Sequence, residues 1–284
     1  MVMSKSKAII AVFFIVSILL FTGCSEENIS EPDKQTPPEI PPETSFIIHF
    51  EDFAQGNQMS FNGDWPSLSK PLSRINYAYA ALTVSVWHTL TTVTLAVPTR
   101  AFLGVLVMDR KPELQEDGSW LWAHDFNTLG GLYHAELYGK IVAAKIQWEM
   151  YISLDGKFED FMWFTGESEL TAQEGTWRLF KSPQQAVPIL DIEWTRDSDQ
   201  QTFSTKYMNI EEGSDAYGSS IFYGVISDTT YDAFYEIFNK KKDKKTFIKW
   251  NRTSKAGRVK DDKFFKDLEW HCWDETFIDV ECSD

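Results

Sequence analysis

Trp270-His271-Cys272-Trp273-Asp274 holds an imidazole, a thiol and a carboxylate between two indoles, the densest set of reactive side chains in this chain. A catalytic thiol needs a base oriented towards it across space, whereas adjacent side chains in an extended chain point apart. The cluster therefore reads as structural. Glu149, Glu159, Asp191 and Glu193 fall on neighbouring predicted strands, and carboxyl pairs about 5–9 Å apart can hydrolyse glycosidic bonds. Each of the four sits opposite an apolar face, where solvent-side acids belong. His124 and His134 flank Gly130-Gly131, so a hairpin there would bring them face to face beside Asp125 or Glu136. Their spacing matches no recognised ligand pattern, and no metal is expected. The chain has no Gly-Xaa-Ser-Xaa-Gly elbow, phosphate loop, His-Glu-Xaa-Xaa-His or dinucleotide fingerprint. The expectation is a protein that is not an enzyme and carries no cofactor.

Binding is the other use of such residues. Eleven tryptophans are many for 284 residues, and Trp120, Trp122, Trp148, Trp163, Trp177, Trp194 and Trp250 all fall on predicted strands. Aromatic faces stack on sugar rings or enclose acyl chains, and indole keeps an N–H for a polar partner. Trp120, Trp122, Trp148 and Trp163 form the candidate ligand-binding set, against the alternative that they fill the core of a large sheet. Lys240, Lys241, Lys242, Lys244 and Lys245 form a second candidate, a docking segment. Residues 240–266 hold 12 Lys or Arg against 3 Asp, a local +9 in a chain of net charge −15. Such asymmetry fits an anionic partner, and a solvated hairpin or loop fits it as well. The acidic balance of the rest excludes a generic nucleic-acid binder.

The elements that must position these residues are mostly strands. Val142, Ala144, Ile146, Trp148, Met150 and Ile152 alternate with Lys145, Gln147, Glu149 and Ser153, a half-buried strand. Asp155-Gly156 supplies a tight turn, and Lys157 to Thr165 returns as its partner. Further strands are predicted near 119–126, 132–138, 176–180, 189–195, 202–210, 220–227, 246–252 and 276–282. Tyr231, Phe234, Tyr235 and Phe238 have the spacing of a short helical turn.

From Ile75 to Thr99 no residue is formally charged. Ile75, Tyr79, Leu82, Val86, Leu90, Val93 and Val97 form one helical face, with Ser73 as N-cap and Pro98 near the end. The alternation of Val93, Leu95 and Val97 leaves a strand open as the alternative. A second short apolar element is predicted over Phe102 to Met108. Threonines, His88, Asn76 and Pro98 argue against a membrane span. The fold expected is mainly β (α+β), an antiparallel meander of about ten strands forming a closed or half-open β-barrel packed on N-terminal helical elements.

Lys5 and Lys7 precede an apolar run, Ala8 to Leu20, that is too short to span a bilayer comfortably and reads as a secretory signal. It runs into Leu20-Phe21-Thr22-Gly23-Cys24, which resembles the lipobox of bacterial lipoproteins, with Phe21 departing from the usual aliphatic residue. The resemblance implies removal of residues 1–23, acylation of Cys24 and attachment to the membrane through that lipid. Ser25-Glu26-Glu27 resembles the export signal of surface lipoproteins, and serine after the cysteine fits outer-membrane sorting. With Cys24 acylated in an oxidising compartment, Cys272 and Cys282 are left to pair. A loop of that size contributes about 2–3 kcal/mol. The organisation expected is a signal peptide over 1–23, a Pro- and acid-rich tether over 24–44, and a single β-rich domain over 45–284 with its helical part near 73–108.

Three functions fit these features. The first is a cell-envelope lipoprotein that binds an apolar or amphipathic ligand in a cup of sheet and helix. The second is a surface glycan-binding lipoprotein using its tryptophans, and the third is an assembly partner of an outer-membrane complex that docks through the lysine segment.

Overall fold

In the computed structural model of the protein, residues 36–54 and 73–282 are described. They belong to one compact unit, 33–284. Cys24 and the signal peptide lie outside the described residues.

The sheet is a continuous antiparallel meander, each strand bonded to its neighbours in chain order. Its strands are β1 Glu113–Leu114, β2 Trp120–Thr128, β3 Gly131–Val142, β4 Lys145–Leu154, β5 Phe158–Glu169, β6 Glu174–Ser182 and β7 Gln185–Asp197. They continue as β8 Thr202–Asn209, β9 Ser220–Val225, β10 Ala233–Asn239, β11 Lys244–Trp250, β12 Gly257–Lys260, β13 His271–Trp273 and β14 Asp279–Val280. Among the described residues fourteen strands replace the ten or so expected, and the sheet does not close. Its two edges are instead two-residue strands, too short to template pairing with another chain.

The helices are α1 Glu51–Ala54, α2 Ile75–Thr94, α3 Ala96–Val107 and α4 Asp262–Phe265. α2 and α3 meet at Leu95 with a bend of 76°. α3 packs on β2 and β3, while α2 packs on β12, β13 and β14. At 1.5 Å per residue this bent pair spans about 40 Å, whereas fourteen flat strands would span about 60 Å. The sheet must therefore curl around the helices. No single described helix is long and apolar enough to cross a membrane.

The helix expected over 75–99 is present over 75–94 only, with Val97 and Pro98 falling in α3 beyond the bend, and its cap comes from elsewhere. Arg74 occupies the N-cap position and Ser73 caps nothing with its side chain. The Asp279 carboxylate accepts the backbone N–H groups of Ile75 and Asn76 at 3.0 and 3.1 Å. Asp279 sits on β14, beside the Cys272–Cys282 disulfide. That bond ties β13 to the segment just beyond β14, which carries the cap.

Residues 36–44, expected to belong to the tether, pack on the domain. Pro38 and Pro41 are buried, Glu39 pairs with Arg196, and a 3-10 turn at Glu43–Ser45 lies on β7 and β8. The next residues cross the inner face of the sheet. Phe46 meets Phe102, Phe164 and Trp177 at 5.0, 4.8 and 6.0 Å, and its carbonyl accepts the Tyr207 hydroxyl at 2.6 Å. Phe53 reaches Trp250 at 5.0 Å. The interior of the curl is thus filled by the chain itself.

Candidate functional site

The tryptophans proposed from sequence are core residues. Trp122, Trp148 and Trp163 are 4, 1 and 8 % exposed, and Trp120 is half-buried against the same cluster. Their placement follows from glycines on adjoining strands. Trp148 lies opposite Gly139 and Gly166, Trp177 opposite Gly166, Trp194 opposite Gly175, and Trp273 opposite Gly257. A methyl group at Gly139, Gly166, Gly175 or Gly257 would meet the neighbouring indole at 2.6, 2.2, 2.8 or 2.4 Å. Each ring occupies the space that a Cβ on the facing glycine would take, so its area is spent within the sheet. Trp148 Nε1 donates to the buried Ser168 hydroxyl at 2.9 Å, which occupies its polar handle too.

The reactive clusters dissolve into structural roles as well. Cys272 is in the disulfide, His271 stacks on Phe265 and bonds Asp267, and Trp273 Nε1 donates to the Lys255 carbonyl. Asp274 accepts the backbone N–H groups of Thr276 and Ile278. Asp191 holds Arg178 at 2.8 Å, Glu193 holds Lys206 at 3.2 Å, and Glu149 accepts the Tyr151 hydroxyl. His124 and His134 do not face each other, because His124 pairs with Ala135 and His134 with Asp125. They point to opposite faces of the sheet. His124 bonds the Ala101 carbonyl on α3, where Gly104 leaves room for the ring. His134 lies between Asp125 and Asp155 at 2.7 and 2.9 Å, and these hydrogen bonds raise its pKa above the ordinary histidine value.

The lysine run does not form one face. Lys240 to Asp243 make the tip between β10 and β11, and Lys244 and Lys245 then point to opposite sides of β11. The residues expected to turn as a helix, Tyr231 to Phe238, contribute β10, in which Ala233, Tyr235 and Ile237 alternate inward.

One cleft combines parts of these readings. It has a volume of about 580 Å³ and lies between the second half of α2, the start of the β7 core (Ile189 and Leu190), the 209–219 loop and the β10–β11 tip. That volume is typical of small-molecule sites, about 300–1,000 Å³. Of the stripe expected to bury α2, Tyr79 is buried, but Leu82, Val86 and Leu90 line this cleft. The buried face of α2 is instead Tyr77, Ala80, Val84 and Trp87, which leaves Val86 and Leu90 55 and 49 % exposed. Thr83 and Thr91 also line the cleft, but their hydroxyls donate back to the Tyr79 and Trp87 carbonyls, each at 2.9 Å. The helix wall is therefore more apolar than its sequence suggests.

The opposite wall rests on a buried carboxylate. Asp261, 1 % exposed, accepts the hydroxyls of Tyr79 and Thr246 on one oxygen and the N–H groups of Lys263 and Phe264 on the other. Lys244 Nζ lies 3.5 Å from Asp261 and donates to the Tyr79 hydroxyl at 2.8 Å. Burial would lower the Lys244 pKa, yet its bonds to Tyr79 and Asp261 outweigh that and hold it raised. Burial, then the bond to Asp261, raises Tyr79. Lys244 is thereby a fixed part of the wall.

A larger groove of about 710 Å³ lies on the other face of the sheet. Phe222, Phe238 and Phe247 line it with Glu167, Glu193, Glu236, Lys145, Lys206 and Lys245. Much of its charge is already paired, Lys145 with Glu167 and Lys206 with Glu193. Neither space is lined by the four tryptophans proposed from sequence. No family model, curated protein or solved structure matches the chain significantly.

Proposed function

We propose that the chain is a lipid-anchored cell-envelope protein, not an enzyme, that holds an apolar or amphipathic ligand in the cleft along α2. The observation that carries this reading is the exposure of Val86 and Leu90 inside a concave space whose neighbouring hydroxyls are turned back on the helix. Leaving such side chains in water forgoes about 25 cal/mol per Å² of apolar surface, which a ligand's alkyl portion recovers. The anchor belongs to the same proposal and rests on the lipobox resemblance at Cys24, with attachment to the outer membrane. A glycan-binding reading moves from the tryptophans to the larger groove, where Phe222, Phe238 and Phe247 surround Glu236.

The α2 cleft is tested with residues 25–284, which contain the whole compact unit. Titration with the uncharged fluorophore N-phenyl-1-naphthylamine is expected to show saturable binding. Val86→Glu combined with Leu90→Glu is expected to weaken it by at least about tenfold, because carboxylates resist burial against an apolar ligand. Both sites are half-exposed, so stability should move by no more than about 0.5 kcal/mol each. Equal binding by wild type and the double variant would remove the cleft from the account.

A further inference from the structure

The charges around the α2 cleft nearly cancel, and the remainder specifies a ligand. Three lysines line the space, Lys241, Lys242 and Lys244, together with Glu211 and Asp215. Lys241 pairs with Asp215 at 2.7 Å, and Glu211 pairs at 2.6 Å with Lys181, which lies outside the lining. Lys244 is committed to Asp261 and Tyr79. The polar loop side chains are also occupied by backbone groups. Asn239 accepts the Lys242 N–H, Asn209 accepts that of Glu211, Ser214 that of Ala216 and Ser219 that of Lys240. The Lys242 ammonium alone among the lining charges has no ion pair within the described residues.

This cation sits on the β10–β11 tip and lines the cleft together with an apolar wall. From Leu82 to Thr94, α2 offers about 18 Å of length along the cleft, with Leu82, Val86 and Leu90 facing it and Leu95 at the corner. The sheet side adds Ile189, Leu190 and Ile237. A molecule that satisfies both features has one negative head and one long alkyl tail.

We propose that the cleft takes a single-chain, monoanionic amphiphile, a long-chain carboxylate in its simplest form, with the head at Lys242 and the tail against the apolar side chains of α2. This rests on the ligand-binding reading above and adds a charge to it. A dianionic head would leave one charge without a counterion, and a cationic head would meet Lys242 directly.

The test is displacement of N-phenyl-1-naphthylamine from residues 25–284 by tetradecanoate, tetradecanol and tetradecyltrimethylammonium, each below its aggregation threshold. Tetradecanoate is expected to bind about fivefold more tightly than tetradecanol, the range of a partly exposed ion pair. The margin should shrink as salt rises, because exposed charges are screened. Lys242→Gln should erase it, and Lys242→Glu should favour the cationic amphiphile. Lys245→Gln, on the other face of β11, should leave it unchanged. Equal affinity for acid and alcohol in the wild type, or a margin that survives Lys242→Gln, overturns this proposal while leaving the apolar cleft intact. Failure of all three to displace bound probe overturns the ligand-binding reading and this proposal with it.

Discussion

Asp261→Ala is expected to destabilise the protein by about 3–5 kcal/mol, the usual cost of removing one partner from a buried charged pair. The substitution strands several groups at once. Tyr79 and Thr246 lose their hydroxyl acceptor, Lys244 loses its nearest carboxylate, and α4 loses the side chain that caps Lys263 and Phe264. Asp261→Asn keeps oxygen for one set of donors but turns an amide towards the other, so it should fall between wild type and alanine. Equilibrium urea unfolding followed by tryptophan fluorescence measures this directly, as a lower midpoint at unchanged slope. A loss below about 1 kcal/mol for Asp261→Ala, the range of an exposed pair, would mean that the carboxylate is not buried as described.

Trp177→Ala should cost about as much, 3–5 kcal/mol, for a different reason. Its ring is 1 % exposed and touches Phe46, Phe102 and Phe164, so it joins the inner segment and α3 to the sheet. It also covers Gly166, where an added methyl would lie 2.2 Å from the ring and 2.6 Å from the Thr176 carbonyl oxygen. Gly166→Ala should therefore cost about 1–3 kcal/mol by overpacking. Because both changes act on one contact, the double variant should lose less than the sum of the two, by about 0.5–3 kcal/mol. Strict additivity in the same unfolding measurement would contradict the pairing of ring and glycine.

Period-two patterning made most of the meander legible in the sequence, including β4, its Asp155-Gly156 turn and its partner β5. A helix starting at Ile75 was legible from its spacing, but its end at Thr94 and the start of α3 at Ala96 were not. Where reading failed, a nonlocal contact decided the outcome. β10 resembled a helical turn because its aromatics recur at three and four residues, but pairing with β9 and β11 imposed alternation. Nothing local marks Asp279 as the cap of a helix about two hundred residues earlier. The tryptophans were recognisable as important, yet their role depended on Gly139, Gly166, Gly175 and Gly257 across the strands. Glycines inside predicted strands were the available signal for that close approach.

The cleft was the least legible feature. A continuous apolar stripe on α2 suggests burial along its whole length, and only the packing of Tyr77, Ala80, Val84 and Trp87 shows which face the sheet covers. The lysines were equally ambiguous, because the pairing of Lys241 with Asp215 and of Lys244 with Asp261 depends on segments elsewhere in the sequence. Hairpin geometry then sends Lys244 and Lys245 to different spaces.

Trp87 offers the most direct measurement of whether an amphiphile occupies this cleft. It belongs to the core and also lines the space, at 9 % exposure, whereas Trp122, Trp148, Trp177, Trp250 and Trp273 belong to the core and do not line it. Titration of residues 25–284 with a long-chain carboxylate brominated on its tail should quench part of the tryptophan fluorescence in a saturable manner. The result expected is that Trp87→Phe removes most of that quenching while an unbrominated carboxylate still competes for the site. Saturable quenching that persists undiminished in Trp87→Phe, or no saturable quenching in the wild type, would contradict the account.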